Sequence, residues 1–127
     1  MLEPVSGFET LEVWKEARLF RKMIITLCRE FPADEKFRLI DQVKRSSRSV
    51  TANISEGYGR FHYLDNIKFC RDARGSLNET LDHLTVAFDE SYISLESFTV
   101  RKMQYEKVLR LLNGYIGYLK KQKLTQQ

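Results

Sequence analysis

The stretch from Ile40 to Gly57 reads IDQVKRSSRSVTANISEG. Its apolar and small residues Ile40, Val43, Ser47, Val50 and Ile54 recur at spacings of three and four, which stacks them on one helical face. Asp34 is placed to cap the start of this helix, and Gly57 to supply the left-handed residue that ends it. Gln42, Arg45, Ser49, Asn53 and Glu56 form a second stripe, nearly opposite the seam at about 100° per residue. A solvated face usually mixes lysine with glutamate. This one holds poorer helix formers, which suits a hydrogen-bonded interface within the bundle or between subunits, or else an ordinary polar face.

Working outward, the same period appears on both sides. Trp14, Ala17, Phe20, Ile24, Leu27 and Phe31 form the face of a preceding helix, which Pro32 stops by disfavouring helix in the residue before it. Leu64, Ile67, Cys70, Leu77, Leu81, Leu84 and Phe88 form a third seam. Phe98, Tyr105, Val108, Leu112, Tyr115 and Leu119 form a fourth. Ser94 is a candidate cap for that last helix, with Glu96 in its first turn and Lys120, Lys121 and Lys123 matched to its negative end. The chain is therefore expected to be all-α, with helices over about 10–30, 35–57, 62–90 and 95–121. Short connectors imply an antiparallel up-down-up-down four-helix bundle, one domain over 1–127.

Composition agrees. The 127 residues are 43% hydrophobic and 30% charged, with only two prolines and six glycines, so long elements are favoured over a many-turned β fold. Antiparallel pairing brings Phe20, Ser46, Ser47, Arg74, Gly75, Asn113 and Gly114 to one middle layer. Gly75, Gly114 and Gly117 then suggest tight helix packing, against the alternative of glycine tolerated on a surface. Helices one and four carry apolar residues beyond their seams: Leu11, Leu19, Ile25, Leu109, Leu111, Ile116 and Tyr118. Self-association would bury them, so a homo-oligomer is expected. No signal-like segment or membrane-length apolar run is present, and Cys28 and Cys70 read as reduced core thiols, which points to the cytoplasm.

Enzyme chemistry is poorly supported, and no catalytic residue, metal or cofactor is expected. His62 and His83 have no partner at metal-ligand spacing, and the cysteines form no Cys-x-x-Cys pair. Asn53 and Glu56 lie one turn apart, but without a second carboxylate at fixed spacing a hydrogen-bonding role outweighs a metal. Net charge is +4, mild enough to permit an anionic partner without demanding one. Lys44, Arg45, Arg48, Lys68, Arg71 and Arg74 are the candidate nucleic-acid contacts. Arg45 can pair with Asp41 in its own helix. Arg48, Arg71 and Arg74 have no acidic residue three or four positions away, which suits phosphate; Arg74 lies near the seam and could instead join a buried network. Gln42, Ser49, Asn53 and Glu56 with Ser76 and Glu79 of helix three form the candidate polar interface.

The run Gln42-Val43-Lys44-Arg45-Ser46-Ser47-Arg48-Ser49-Val50-Thr51-Ala52-Asn53-Ile54-Ser55-Glu56-Gly57-Tyr58-Gly59-Arg60 resembles the signature of a bacterial four-helix-bundle family. That family is encoded within intervening sequences of large-subunit ribosomal RNA genes and is often labelled S23 ribosomal protein. Phe8-Glu9-Thr10-Leu11-Glu12-Val13-Trp14, Phe31-Pro32 and Arg74-Gly75-Ser76-Leu77-Asn78-Glu79 resemble its opening, first connector and helix-three motif. Ser47 stands where alanine is more usual, and His62 where a capping serine or threonine is common. The resemblance implies a four-helix fold, no enzymatic activity and a homo-oligomer, in particular a pentamer. Accessory proteins of diversity-generating retroelements look similar, as basic pentameric bundles that engage nucleic acid and a reverse transcriptase. Two functions follow as expectations. One is an oligomeric adaptor for structured RNA or an RNA-bound protein. The other is a protein-interaction scaffold with no nucleic-acid binding. Neither uses a membrane.

Overall fold

The computed structural model describes residues 7–125, and among these the regular structure is entirely helical. Four helices carry the fold: α1 over Glu12–Leu27, α2 over Leu39–Gly59, α3 over Tyr63–Asp89 and α4 over Leu95–Thr125. Single 3₁₀ turns lie at Phe8–Thr10, Cys28–Glu30 and Ala33–Glu35. The main contacts join α1 to α2, α2 to α3, α3 to α4 and α4 back to α1, a closed square. Along α2 and α3, the bond between Ser49 and Ser76 follows that between Ser46 and Thr80 in opposite directions. Arg74 with Asn113 and Asn66 with Tyr115 do the same for α3 and α4. Glu16 with Gln104 and Met23 with Arg101 do so for α1 and α4. Each of these pairs is antiparallel, so α1 and α2 are antiparallel as well.

One core runs through all four helices. Phe20, Ile24, Leu27, Ile54, Leu77, Leu84 and Leu112 are fully buried within it. Burying a side chain of this size contributes about 1.5–3 kcal/mol, so these residues dominate the stabilisation. Expected seam residues Ala17, Val43, Ser47, Val50, Cys70, Val108 and Leu119 are buried too, while Trp14, Ile40, Leu81, Phe98 and Tyr115 pack partly exposed against the core. In α3 the seam needs correction: Leu64 and Phe88 are exposed. Apart from Ile67, the buried positions alternate four and three apart, with Asn66, Ala73, Thr80 and Ala87 in one column and Cys70, Leu77 and Leu84 in the other. The first column is small or polar, so a search for large apolar residues misses it. Its small side chains let α2 come close.

The polar side of that approach is satisfied. Thr80 Oγ1 donates to Ser46 Oγ at 2.8 Å, and Ser46 donates to the Val43 carbonyl at 3.2 Å. One turn along, Ser76 Oγ donates to Ser49 Oγ at 2.9 Å, and Asn53 Nδ2 donates to the same oxygen at 3.0 Å. Buried hydroxyls left unpaired would cost about 1–3 kcal/mol each, so mutual pairing is what allows serine and threonine here.

The structure differs from expectation at three further points. Phe31 is extended ahead of Pro32, as the proline requires, yet α2 begins at Leu39 and not near Glu35. Residues after Pro32 first make the 3₁₀ turn, and the cap falls to Glu35, whose Oε2 accepts from the Leu39 N–H at 3.3 Å; Asp34 makes no cap bond. At the other end α2 does not stop on a left-handed Gly57. No glycine among the described residues has positive φ, and the chain turns at Phe61, φ 63°. Gly57 is needed for closeness: a Cβ there would lie 2.7 Å from Asn66 Oδ1 and 2.9 Å from Phe69 Cβ. The third correction concerns Gly75, Gly114 and Gly117, where a Cβ would meet nothing within 4 Å. Their small size closes no gap inside this bundle.

Two ends are built as regular caps. Ser94 Oγ accepts from the Ser97 N–H at 3.1 Å and starts α4. α3 ends with Ser91 at φ 62°, the Ser91 N–H donating to the Phe88 carbonyl and the Tyr92 N–H to the Ala87 carbonyl. Of the apolar residues outside the α1 and α4 seams, Ile116 is buried and Leu11, Leu109 and Leu111 pack against the core; Leu19 and Tyr118 stay exposed.

The glycines give a direct test. Gly57→Ala overpacks the α2–α3 contact and should destabilise by about 1–3 kcal/mol. Gly114→Ala adds a better helix former in open space and should stabilise by up to about 1 kcal/mol. Urea unfolding midpoints of the two variants should move in opposite directions.

Candidate nucleic-acid interface

The candidate cations divide between faces. Arg48 lies on the α1–α2 side, in a shallow cleft with Phe8, Trp14, Arg21 and Thr51. Arg21 there donates to Thr51 Oγ1 at 2.8 Å, and the Arg18 guanidinium sits 6.0 Å from the Trp14 ring centre. Arg71 lies on the opposite, α3–α4 side. Lys44 is half-buried, Arg45 forms an exposed pair with Asp41 at 3.5 Å, and the Lys68 ammonium is 5.5 Å from the Phe69 ring centre. Arg74 joins no buried network; its guanidinium donates to Asn113 Oδ1 of α4 at 2.8 Å in an exposed bond. These six residues therefore do not make one patch on a single chain.

The polar stripe divides: Gln42, Glu56 and Glu79 are exposed, while Ser49 and Ser76 bond across the α2–α3 seam. Gln42, Ser49, Ser76 and Glu79 line one shallow cleft between α2 and α3, with Arg45 and Ser46. Its hydroxyls bond across the two helices, as described above. Asn53 is committed to Ser49, and Glu56 to Arg60 at 2.8 Å, so this pair has other work than holding a metal. No group of three or more His, Cys, Asp or Glu among the described residues could hold a metal ion. Burial pushes the Cys28 thiol up, and that of Cys70 up to about 12, which suppresses the reactive thiolate. His83 pairs with Glu79 at 3.2 Å. No helix among the described residues is long and apolar enough to cross a membrane.

Two further clefts gather residues that charge counting along single helices passes over. Between α3 and the end of α4, Leu64, Ile67, Arg71, Lys120, Lys123 and Leu124 line a groove of about 350 Å³. Its lining holds three cations and no carboxylate, and none of the three forms an ion pair among the described residues. Lys120 and Lys123 read from sequence only as partners of the helix dipole. The antiparallel register that sets them beside Arg71 is a tertiary fact. The second cleft, about 370 Å³, lies at the same end of the bundle, where the α2–α3 turn meets the start of α1 and the end of α4. Leu11, Tyr58, Phe61, His62, Tyr63, Asn66, Tyr115, Tyr118 and Leu119 line it. Asn66 Nδ2 donates to the Tyr115 hydroxyl at 3.2 Å, and the Tyr115 and Tyr118 rings lie nearly parallel, 18° apart with centres 6.3 Å apart. Burial holds the Tyr115 hydroxyl above its ordinary pKa. The aromatic density of residues 58–63 was the available signal for this cleft.

Phe61 is the strained member. It is bulky, has positive φ and is 89% exposed. The left-handed region costs an L-residue about 1–2 kcal/mol, so its side chain recovers little of that cost by burial. Phe61→Gly should therefore raise the stability of the free protein by up to about 1 kcal/mol, net of the added chain entropy of glycine. A thermal or urea midpoint that falls would contradict this account of the turn.

The comparisons with known proteins agree with this architecture. A crystal structure of a protein with unknown function from the S23 ribosomal protein family of Bacteroides thetaiotaomicron superimposes with a TM-score of 0.75. The two sequences are 26% identical, over 82% of this chain and 97% of that one. No curated protein matches. The family description "23S rRNA-intervening sequence protein" matches residues 9–114, a span that takes in the first three helices and the greater part of α4. With that span matched and the four-helix fold shared, the chain belongs to the 23S rRNA-intervening sequence protein family.

Proposed function

We propose that this protein is a non-enzymatic, self-associating helical adaptor that binds structured RNA in the cytoplasm. The observation that carries the reading is the α3–α4 groove, where Arg71, Lys120 and Lys123 converge with no carboxylate in the lining. Convergent cations without acidic partners attract phosphate, and arginine donates to it in a fork. Arg48 and Arg21 supply a second, smaller cationic cleft on the α1–α2 side. A net charge of +4 per chain is modest, so a multivalent assembly is the natural way to reach useful affinity.

Self-association is supported by apolar residues that the bundle leaves outside. Leu19 of α1 and Val100 and Met103 of α4 are exposed, Met103 by 65%. The α1–α4 bonds between Glu16 and Gln104 and between Met23 and Arg101 bring Leu19 and Met103 to a common level. A pentamer, as the family resemblance implies, would repeat each cationic groove around the assembly. Buried, protonated thiols suit a reducing compartment.

Two measurements test the reading. Light scattering should give a mass that is a multiple of 15.0 kDa, five-fold for a pentamer, and a concentration-independent monomer would remove the oligomer from it. RNA affinity at low salt should fall steeply as salt rises, because each neutralised phosphate releases counterions. Arg71→Ala with Lys123→Ala should weaken binding and flatten that salt slope, Arg48→Ala should add a further loss, and Arg74→Ala should change little. A protein partner retained after nuclease treatment, with no RNA bound at low salt, would instead establish the pure scaffold.

A further inference from the structure

We propose that the aromatic cleft at the α2–α3 turn seats unpaired bases of a single-stranded RNA segment, whose phosphates run onto the cationic α3–α4 groove. The proposal rests on the RNA-binding reading above and makes it specific. It places bases, and not only backbone, on this protein.

The cleft is built of flat rings. Tyr58, Phe61, Tyr63, Tyr115 and Tyr118 surround it, with His62 on the same wall. Aromatic side chains ordinarily bury their faces, yet here Phe61 is 89% exposed and Tyr118 53% exposed. The near-parallel rings of Tyr115 and Tyr118 already form the start of a stack that a further flat ring can continue. Phe61 is held outward by a strained backbone that a glycine would relieve. Strain of this kind persists where the surrounding structure fixes it, and it collects at binding sites.

Charge identifies the occupant. An apolar ligand alone would need only the rings. Three pairs of chain neighbours divide between the two clefts: Tyr63 with Leu64, Asn66 with Ile67, and Leu119 with Lys120. The ring-lined cleft and the cationic groove therefore lie on the two sides of one α3–α4 seam. Neither lining contains a carboxylate. Rings for base faces beside cations for phosphates are the two halves of a single-strand site. A duplex keeps its base faces inside the stack and could use only the cations. The remaining clefts do not compete. The α2–α3 cleft spends its hydroxyls on its own cross-helix bonds, and Trp14 in the α1–α2 cleft is met edge-on by Phe8 at 5.1 Å.

The test compares a short unstructured RNA strand, the same strand as DNA and a blunt RNA duplex, each at low salt with the full chain. The RNA strand should bind more tightly than the duplex, because only the strand offers base faces to the rings. Phe61→Ala with Tyr118→Ala should weaken the RNA strand tenfold or more and leave duplex affinity unchanged, whereas Tyr118→Phe should keep wild-type binding because it keeps the ring. A 2-aminopurine placed in the strand should change its emission on binding, and that change should vanish in the double alanine variant. Both altered side chains are exposed, so the variants should keep the wild-type helical circular dichroism. Equal affinity for strand and duplex, with neither altered by the aromatic substitutions, would overturn this inference and leave the RNA reading standing. A DNA strand that binds more tightly than the RNA strand would overturn the assignment to RNA. Failure of the wild-type protein to bind any RNA would overturn both.

Discussion

The close approach of α2 to α3 governs much else in this protein. Two hydroxyl pairs, Ser46 with Thr80 and Ser49 with Ser76, fix the register of the two helices. Gly57 then allows the approach to continue to the turn, where even a methyl group would collide with Asn66 and Phe69. Small side chains bring backbones together, and the hydroxyl bonds select one alignment among those that smallness alone would permit. With this alignment set, the chain must reverse within a few residues after Gly59. It does so through a left-handed Phe61. The shape of the cleft at that end follows from the packing of a seam half the molecule away.

The sequence was informative wherever a residue acts through its own helix. The four helices, the stop at Pro32 and the Ser94 cap could all be read from local spacing and composition. So could most core positions of α1, namely Ala17, Phe20, Ile24 and Leu27, although Val13 is buried where the spacing pointed to Trp14. α3 was harder, because half of its buried face is Asn66, Ala73, Thr80 and Ala87. Those residues are buried because of what α2 places opposite them, and periodicity of large apolar side chains is blind to that. α2 starts at Leu39, later than local chemistry implies, for a similar reason. Asp34 has the chemistry of a cap, but the 3₁₀ turn after Pro32 gives that task to Glu35.

The cationic and aromatic clefts were only partly legible. Arg71 has no local acidic partner, whereas Lys120 and Lys123 have a sufficient local explanation in the dipole of α4. What joins them is a register between residues about 50 positions apart in the chain. Arg74 presents the converse. Like Arg71 it has no acidic partner in its own helix, but it lies nearer the seam, and Asn113 of the neighbouring helix holds it. Local sequence gives the charge of such residues, while cross-helix geometry decides which of them can be offered to a partner.

The antiparallel square has a topological consequence for anything attached to this chain. Leu11, ahead of α1, and Leu119, near the end of α4, both line the aromatic cleft. A peptide, dye or second domain attached beside Leu11 or on the last turns of α4 would thus sit near the mouth of that cleft. A flexible linker would hold it there at an effective concentration in the millimolar range. An appended aromatic or acidic segment would compete with ligands in solution for the same walls, whereas an insertion in the connector between α3 and α4, at the far end of the bundle, would leave them open.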